Sequence, residues 1–175
     1  NGLNGSYCYQ IDIGGCRPVI EISVDDIEIP PVSTYYLFSA ERGIYKGTWN
    51  KQIAQSGGFV TDNDYIAISN SSNWGGDNVC VTNTEPIDTT GKSKLIVTIP
   101  TVNGNVHPGS GFGLVADPSD LFYRDEVAIV KHDIVKGVLE LDISELSGIY
   151  YFKLWIFRAD SGTTAYCQVT EIKVE

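Results

Sequence analysis

The sequence is short of the residues on which most metal and hydrolytic chemistry depends. Its 175 residues include two histidines, four cysteines and no methionine. Without Met, residue 1 is not a translation start, and a processed product or an excised domain is expected. His107 and His132 are too far apart in sequence for an H-x-x-x-H or H-E-x-x-H metal motif. Both lie in settings typical of surface turns. No G-x-S-x-G nucleophile elbow is present, although a Ser-His-Asp triad assembled from distant positions stays open. Cys8, Cys16, Cys80 and Cys167 make no C-x-x-C pair. Their even number would suit disulfides, but the spacing does not demand any. No apolar run nears the roughly 18 residues that a membrane-spanning helix needs. Basic residues are also scarce, 12 against 22 acidic, for a net charge of -10. Such a surface repels phosphate backbones and anionic lipid, so neither nucleic acid nor a membrane is expected as partner.

What is present is alternation. Hydrophobic residues make up 42% and charged residues 19%, which is the composition of a globular chain. Period-2 patterning runs almost throughout, with little helical periodicity. Tyr7, Tyr9, Ile11 and Ile13 alternate on one side of Gly14-Gly15, and Pro18, Ile20, Ile22 and Val24 on the other. That is the signature of a β-hairpin, in which Tyr7 pairs with Ile22, Tyr9 with Ile20 and Cys8 with Glu21. The break at Ile29-Pro30-Pro31-Val32 divides the chain into an N-terminal hairpin, 1–34, serving as stem or docking segment, and a main domain, 35–175. A rigid loop within one domain is the alternative.

Strands are expected at 35–40, 58–61, 65–69, 78–82, 94–99, 111–116, 126–131, 137–143, 149–158 and 164–174. Their spacing, with Gly, Asn and Asp between them, predicts an all-β antiparallel sandwich or jelly roll. In the last strand Ala165, Cys167 and Val169 share one parity and Ile172 and Val174 the other, which predicts a β-bulge near Thr170-Glu171. Single helical turns could form at 117–120 and 142–148.

Glycoside hydrolysis needs two facing carboxylates. Among 22 acidic residues some pair will meet by chance, so the chain is expected not to be an enzyme. The aromatic residues point elsewhere. Sugar rings stack their C–H faces on Trp and Tyr while amides and carboxylates bond the hydroxyls. One loop, 69–78, sets Trp74 among Asn73, Asp77 and Asn78; a second, 46–52, holds Trp49 beside Asn50 and Gln52. Tyr123 and Arg124 offer a third aromatic-polar rim. Trp74, Asn73, Asp77, Asn78, Trp49, Tyr123 and Arg124 form the candidate ligand set. Trp155, inside an apolar strand, is expected to be packing.

Two further segments carry a resemblance. Ile87-Asp88-Thr89-Thr90-Gly91-Lys92-Ser93-Lys94-Leu95-Ile96-Val97 resembles the "I-D-L-T-G-Y-S-K-L-x-V" lead into a central strand of galactose-binding-like jelly rolls from bacteriophage structural proteins. The run DISELSGIYYFKLW, 142–155, is similar to their "D-I-S-x-L-x-G-x-Y-Y-L" lead into a later strand, and Val169-Thr170-Glu171-Ile172-Lys173-Val174 to their closing strand. The resemblance covers roughly 35–175 and departs from the pattern at Thr89 and Lys92. It implies a tail or head appendage, or a carbohydrate-binding module, at a virion surface or outside the cell. It implies a homo-oligomer, a trimer among the candidates. It also implies a structural Ca²⁺ taking Glu171 as a ligand. The partner is then a cell-surface glycan or, alternatively, another virion protein.

Overall fold

A computed structural model describes residues 7–10, 19–22, 33–53, 57–71, 79–119, 128–159 and 163–175. The chain divides into two compact units, Asn1–Ser33 and Thr34–Glu175. In the first, β1 (Tyr7–Gln10) and β2 (Val19–Ile22) pair antiparallel, with Tyr7 opposite Ile22, Cys8 opposite Glu21 and Tyr9 opposite Ile20. These are the pairs that alternation requires; residues 11–18 between them lie outside the described set.

The described part of the second unit is β-structure and turns, with no helix. Its strands are β3 (Tyr35–Ser39), β4 (Ile44–Tyr45), β5 (Trp49–Ile53), β6 (Gly57–Thr61), β7 (Ile66–Asn70), β8 (Val79–Asn83), β9 (Ile87–Asp88) and β10 (Lys94–Ile99). There follow β11 (Thr101–Asn103), β12 (Gly111–Val115), β13 (Val130–Asp133), β14 (Gly137–Asp142), β15 (Ile149–Ile156), β16 (Ala165–Val169) and β17 (Glu171–Val174). They form three antiparallel sheets, none closed on itself, in the orders β14-β10-β17-β3-β4, β11-β16-β7-β6 and β13-β12-β15-β8-β5, with β9 added to β15. One hydrophobic cluster draws on all three. Phe38, Leu95 and Ile172 come from the first, Ile68 and Cys167 from the second, and Val81, Phe112 and Leu154 from the third. β8 and β12 are buried at every residue, so the third sheet is covered on both faces.

Several sequence expectations need correction. Residues 46–52 are not a loop: Trp49–Ile53 is a strand paired to β8. The strand expected at 126–131 is Val130–Asp133. The segments at 117 and 142 make turns rather than helix. Asp117 and Asp142 each accept the backbone N–H and hydroxyl of the serine two residues on, at 2.7–2.9 Å.

The phase change in the last strand also has a different cause. Thr98 pairs with Glu171 and Thr101 with Gln168, so no residue is inserted between 168 and 171. Both strands turn a corner together, one at Pro100 and the other at Thr170. Beyond it they leave the five-stranded sheet for the four-stranded one. Pro100 lacks the N–H a continuous ladder would use there, and the Thr170 N–H bonds Thr98 O at 3.0 Å. The register shift lies instead between Ile172 and Lys173, where β3 carries the additional residue Leu37. Leu37 and Phe38 are in consequence both buried.

The corner separates two outward faces. Before it, the rungs Val138–Thr98–Glu171–Ser39 and Glu140–Ile96–Lys173–Tyr36 face away from the core, with Asp142 and Lys94 beyond. Lys94 pairs with Glu140 at 2.6 Å and Lys173 with Glu175 at 2.8 Å. After it, the outward rungs are Thr101–Gln168–Ala67–Val60 and Asn103–Tyr166–Ser69–Gly58, none of them charged.

Candidate functional site

The loop carrying Trp74 leaves β7 at Ser71 and re-enters at β8, so it connects the four-stranded sheet to the six-stranded one. Asn73, Trp74, Asp77 and Asn78 themselves lie outside the described residues, as do Tyr123 and Arg124. The anchors are well defined. Asn70 is buried, and its amide donates to Ile156 O at 3.2 Å. Its strand partners Gly57 and Ala165 stand at the same end. There the ends of β5, β7, β11 and β15 meet. Val106 bridges to Arg158, and the N–H groups of His107 and Ala159 bond Phe157 O and Asn105 O. Gly104 makes the closest approach. Its φ is +73°, and a Cβ on it would lie 1.9 Å from Thr164 O, which restricts the position to glycine.

Trp49 is not at this end. It pairs with Asn83, whereas Val79, where the Trp74 loop rejoins the sheet, pairs with Ile53. At roughly 3.3 Å per residue the two positions are separated by about 13 Å of strand. The Trp49 ring is taken up by packing, 5.5 Å from Phe59 and edge-on to Phe152 at 6.3 Å. Its buried Nε1 has no hydrogen-bond acceptor among the described residues. Neighbouring Asn50 donates to Pro118 O at 2.9 Å, just before the segment that carries Tyr123 and Arg124. The anchors of the predicted ligand set therefore fall at two ends of the sheet. Trp155 is packing, as its strand context suggests: it is buried, and its Nε1 donates to Gly109 O at 2.8 Å.

Glu171 opens β17. Its carboxylate accepts from Ser39 Oγ at 3.5 Å and lies 3.8 Å from Lys173 Nζ. Ca²⁺ takes six to eight oxygens, several of them anionic. An ammonium beside the carboxylate does not fit it, and no cluster of three or more His, Cys, Asp or Glu occurs among the described residues.

Both histidines hold framework positions. His107 Nδ1 accepts the Gly109 N–H at 2.9 Å, and its ring meets Phe157 edge-on. His132 stacks on Phe112 at 5.5 Å, and its Nδ1–H donates to Asp133 O at 2.8 Å. Cys80 and Cys167 are buried, and burial pushes the Cys167 thiol up to about 12, leaving it protonated and unreactive. The glycine-rich run at 109–113 is also structural. Ser110 Oγ bonds both the N–H and the carbonyl of Phe157, and a Cβ at Gly111 would meet the Trp155 ring at 2.7 Å.

The segments that carry the family resemblance meet each other. Thr89 donates through both its N–H and its hydroxyl to Gly148 O, at 2.9 and 3.1 Å. Ile143 N–H bonds Ser93 O, and β9 pairs with the start of β15. Their shared residues thus join strands.

Sequence reasoning missed Lys153, buried on β15 between its cross-strand partners Thr82 and Gly113. A charge within an otherwise apolar run was the available signal. It also missed the uncharged outward face around Tyr166, because that face is assembled from four strands distant in sequence. No protein-family model matches the chain, and no curated protein matches it.

Proposed function

We propose that residues 35–175 form a jelly-roll β-sandwich of the galactose-binding-like type that recognises a cell-surface carbohydrate without catalysing a reaction. The domain belongs on a bacteriophage appendage, at the virion surface, and works as a homo-oligomer in which several weak sites act together. The observation that supports this best is the end where four strand ends meet. It is braced by Asn70, Val106, His107 and Gly104, and it carries the Ser71-to-Asn78 loop on two different sheets. Rigid strands presenting polar-aromatic loops are a common form of recognition site. The framework duties of both histidines favour binding over acid-base chemistry.

A glycan array probed with the full chain and with Trp74→Ala tests the reading. Loss of signal in the variant is expected. Equal signals overturn the Trp74 site, and an array on which the natural chain binds nothing overturns carbohydrate recognition.

A second reading, a structural virion domain that contacts only protein, is favoured by one observation. Val138, on edge strand β14, is 64% exposed. Exposed apolar edges are places where another chain adds on. Light scattering of the full chain and of Val138→Lys separates the two: an oligomer that survives the substitution removes this support.

A further inference from the structure

We propose that the uncharged outward face of the four-stranded sheet, centred on Tyr166 and Gln168, is a binding platform for a neutral oligosaccharide. This rests on the carbohydrate reading above and adds a second contact region to it.

The first observation is charge. Roughly a quarter to a third of an ordinary soluble surface is Lys, Arg, Asp or Glu. The two outward rungs, Thr101–Gln168–Ala67–Val60 and Asn103–Tyr166–Ser69–Gly58, have none, in a chain of net charge -10. The same pair of strands, on the other side of the Pro100–Thr170 corner, presents Lys94, Glu171 and Lys173. Strand composition alone therefore does not account for the neutrality.

The second is chemistry. A pyranose offers hydroxyls that donate and accept, and an apolar ring face. Gln168 and Asn103 carry amides that do both, Thr101 and Ser69 carry hydroxyls, and Tyr166 supplies a ring ending in a hydroxyl. With no Lys or Arg on the face, an anionic sugar or a phosphate has no counter-ion there, so the occupant is uncharged.

The third is shape. Gly58 has no side chain, the Ser69 hydroxyl occupies the space where its Cβ would point, and Ala67 is small and buried beneath its neighbours. The floor beside Tyr166 is therefore low. Tyr65 lies just before β7 on the same parity as Ala67 and Ser69. Burial is the first cause raising the Tyr166 phenol, with smaller contributions from neighbouring titratable groups, so it stays a neutral donor at physiological pH. Three residues lie between Tyr65 and Ser69, the partner of Tyr166, so their backbone positions are about 13 Å apart along the strand. The face is therefore longer than one sugar. The face ends at Ser69, one residue before β7 closes at Asn70.

The test is calorimetric titration of the full chain with the neutral glycan that gives the strongest array signal. It compares the natural sequence with Tyr166→Ala, Gln168→Ala, Trp74→Ala and, on the charged face, Lys94→Ala, with thermal melting as a check of folding. Tyr166→Ala and Gln168→Ala are each expected to weaken binding about tenfold, about 1.4 kcal/mol. Lys94→Ala should leave it unchanged, as should raising the salt. If Tyr166→Ala fails to fold, Gln168→Ala and Asn103→Ala carry the comparison. Loss of binding in Trp74→Ala alone overturns the platform and spares the function. Binding only to acidic glycans, with steep salt dependence, overturns the platform as well. No glycan binding by the natural chain overturns both.

Discussion

Residues 94–103 and 165–174 run side by side through two sheets, and the character of their outward surface changes at the corner between them. On the five-stranded side, Lys94 bonds Glu140, Lys173 bonds Glu175, and Arg42 and Lys173 lie over Tyr36 at 4.7 and 5.8 Å. On the four-stranded side, hydroxyls, amides and Tyr166 replace every charge. Beneath both, the inward residues are the same kind: Leu95, Val97 and Ile172 on one side, Ile68, Cys167 and Val169 on the other. The fold needs only the inward pattern. The outward pattern is left free for other uses, here ion pairs on one half and neutral groups on the other.

The strongest challenge to that separation is to attack the shared core from each half. Ile172→Ala and Ile68→Ala remove completely buried side chains. Each is expected to cost about 2–5 kcal/mol in denaturant unfolding, with a single transition. Two separate transitions, or a cost near zero on one side, would show that the halves do not share one core.

Next in size is backbone strain at the two ends. Gly104 and Gly91 both hold positive φ, at 73° and 71°. A Cβ at Gly104 collides with Thr164 O, whereas at Gly91 it meets open space. Gly91→Ala should therefore cost about 1 kcal/mol from φ alone. Gly104→Ala should cost clearly more, because it also forces two loops apart beside the neutral face. Equal melting temperatures for the two variants would mean that the loops at that end yield freely.

Much of this was legible in sequence. Alternation located most strands, because a half-buried strand writes its inward face into every second residue, as Leu95, Val97 and Ile99 do. Weak, short elements escaped. Trp49–Ile53 looks like loop in sequence because its residues are mostly polar, and only its ladder with β8 makes it a strand. The corner was half visible: the parity change in 165–174 could be seen, but its counterpart at Pro100 is recognisable only when the two strands lie together. Site residues were the least legible. Trp49 looks like a ligand contact by its neighbours in sequence, yet its ring packs on Phe59 and Phe152. Tyr166 looks like one more alternating aromatic, and its neutral surroundings come from three other strands.

A smaller effect sharpens the contrast between faces. Lys173→Gln removes a partly exposed ion pair, and Gln168→Lys places a charge on the neutral half. After discounting for solvent screening, each should change stability by less than about 1 kcal/mol. Charge on either face is thus nearly neutral for folding. If Gln168→Lys costs several kcal/mol, the neutral face is buried against something, and its lack of charge reflects packing instead of recognition.

The smallest expected effect concerns the turns that join the charged half to its neighbours. Asp88 and Asp142 each accept the backbone N–H two residues on, from Thr90 and Ser144, and that bond is the first cause holding both carboxyls below their usual range; a hydroxyl bond to the same residue adds to it. An unfolded Asp titrates near about 3.9. A carboxyl whose folded value lies lower contributes stability that is fully present above that pH and is lost as pH falls through the folded value. The melting-temperature gap between the natural chain and Asp142→Ala should then be widest near neutrality and close as the solution is taken below about pH 4. Salt should barely alter it, because the leading interaction is a hydrogen bond to an adjacent backbone group and Lys94 contributes least. A gap that closes with salt and persists in acid would reassign the role of Asp142 from the turn to the ion pairs of the charged face. It would also mean that this face contributes more to holding the fold together than the neutral one.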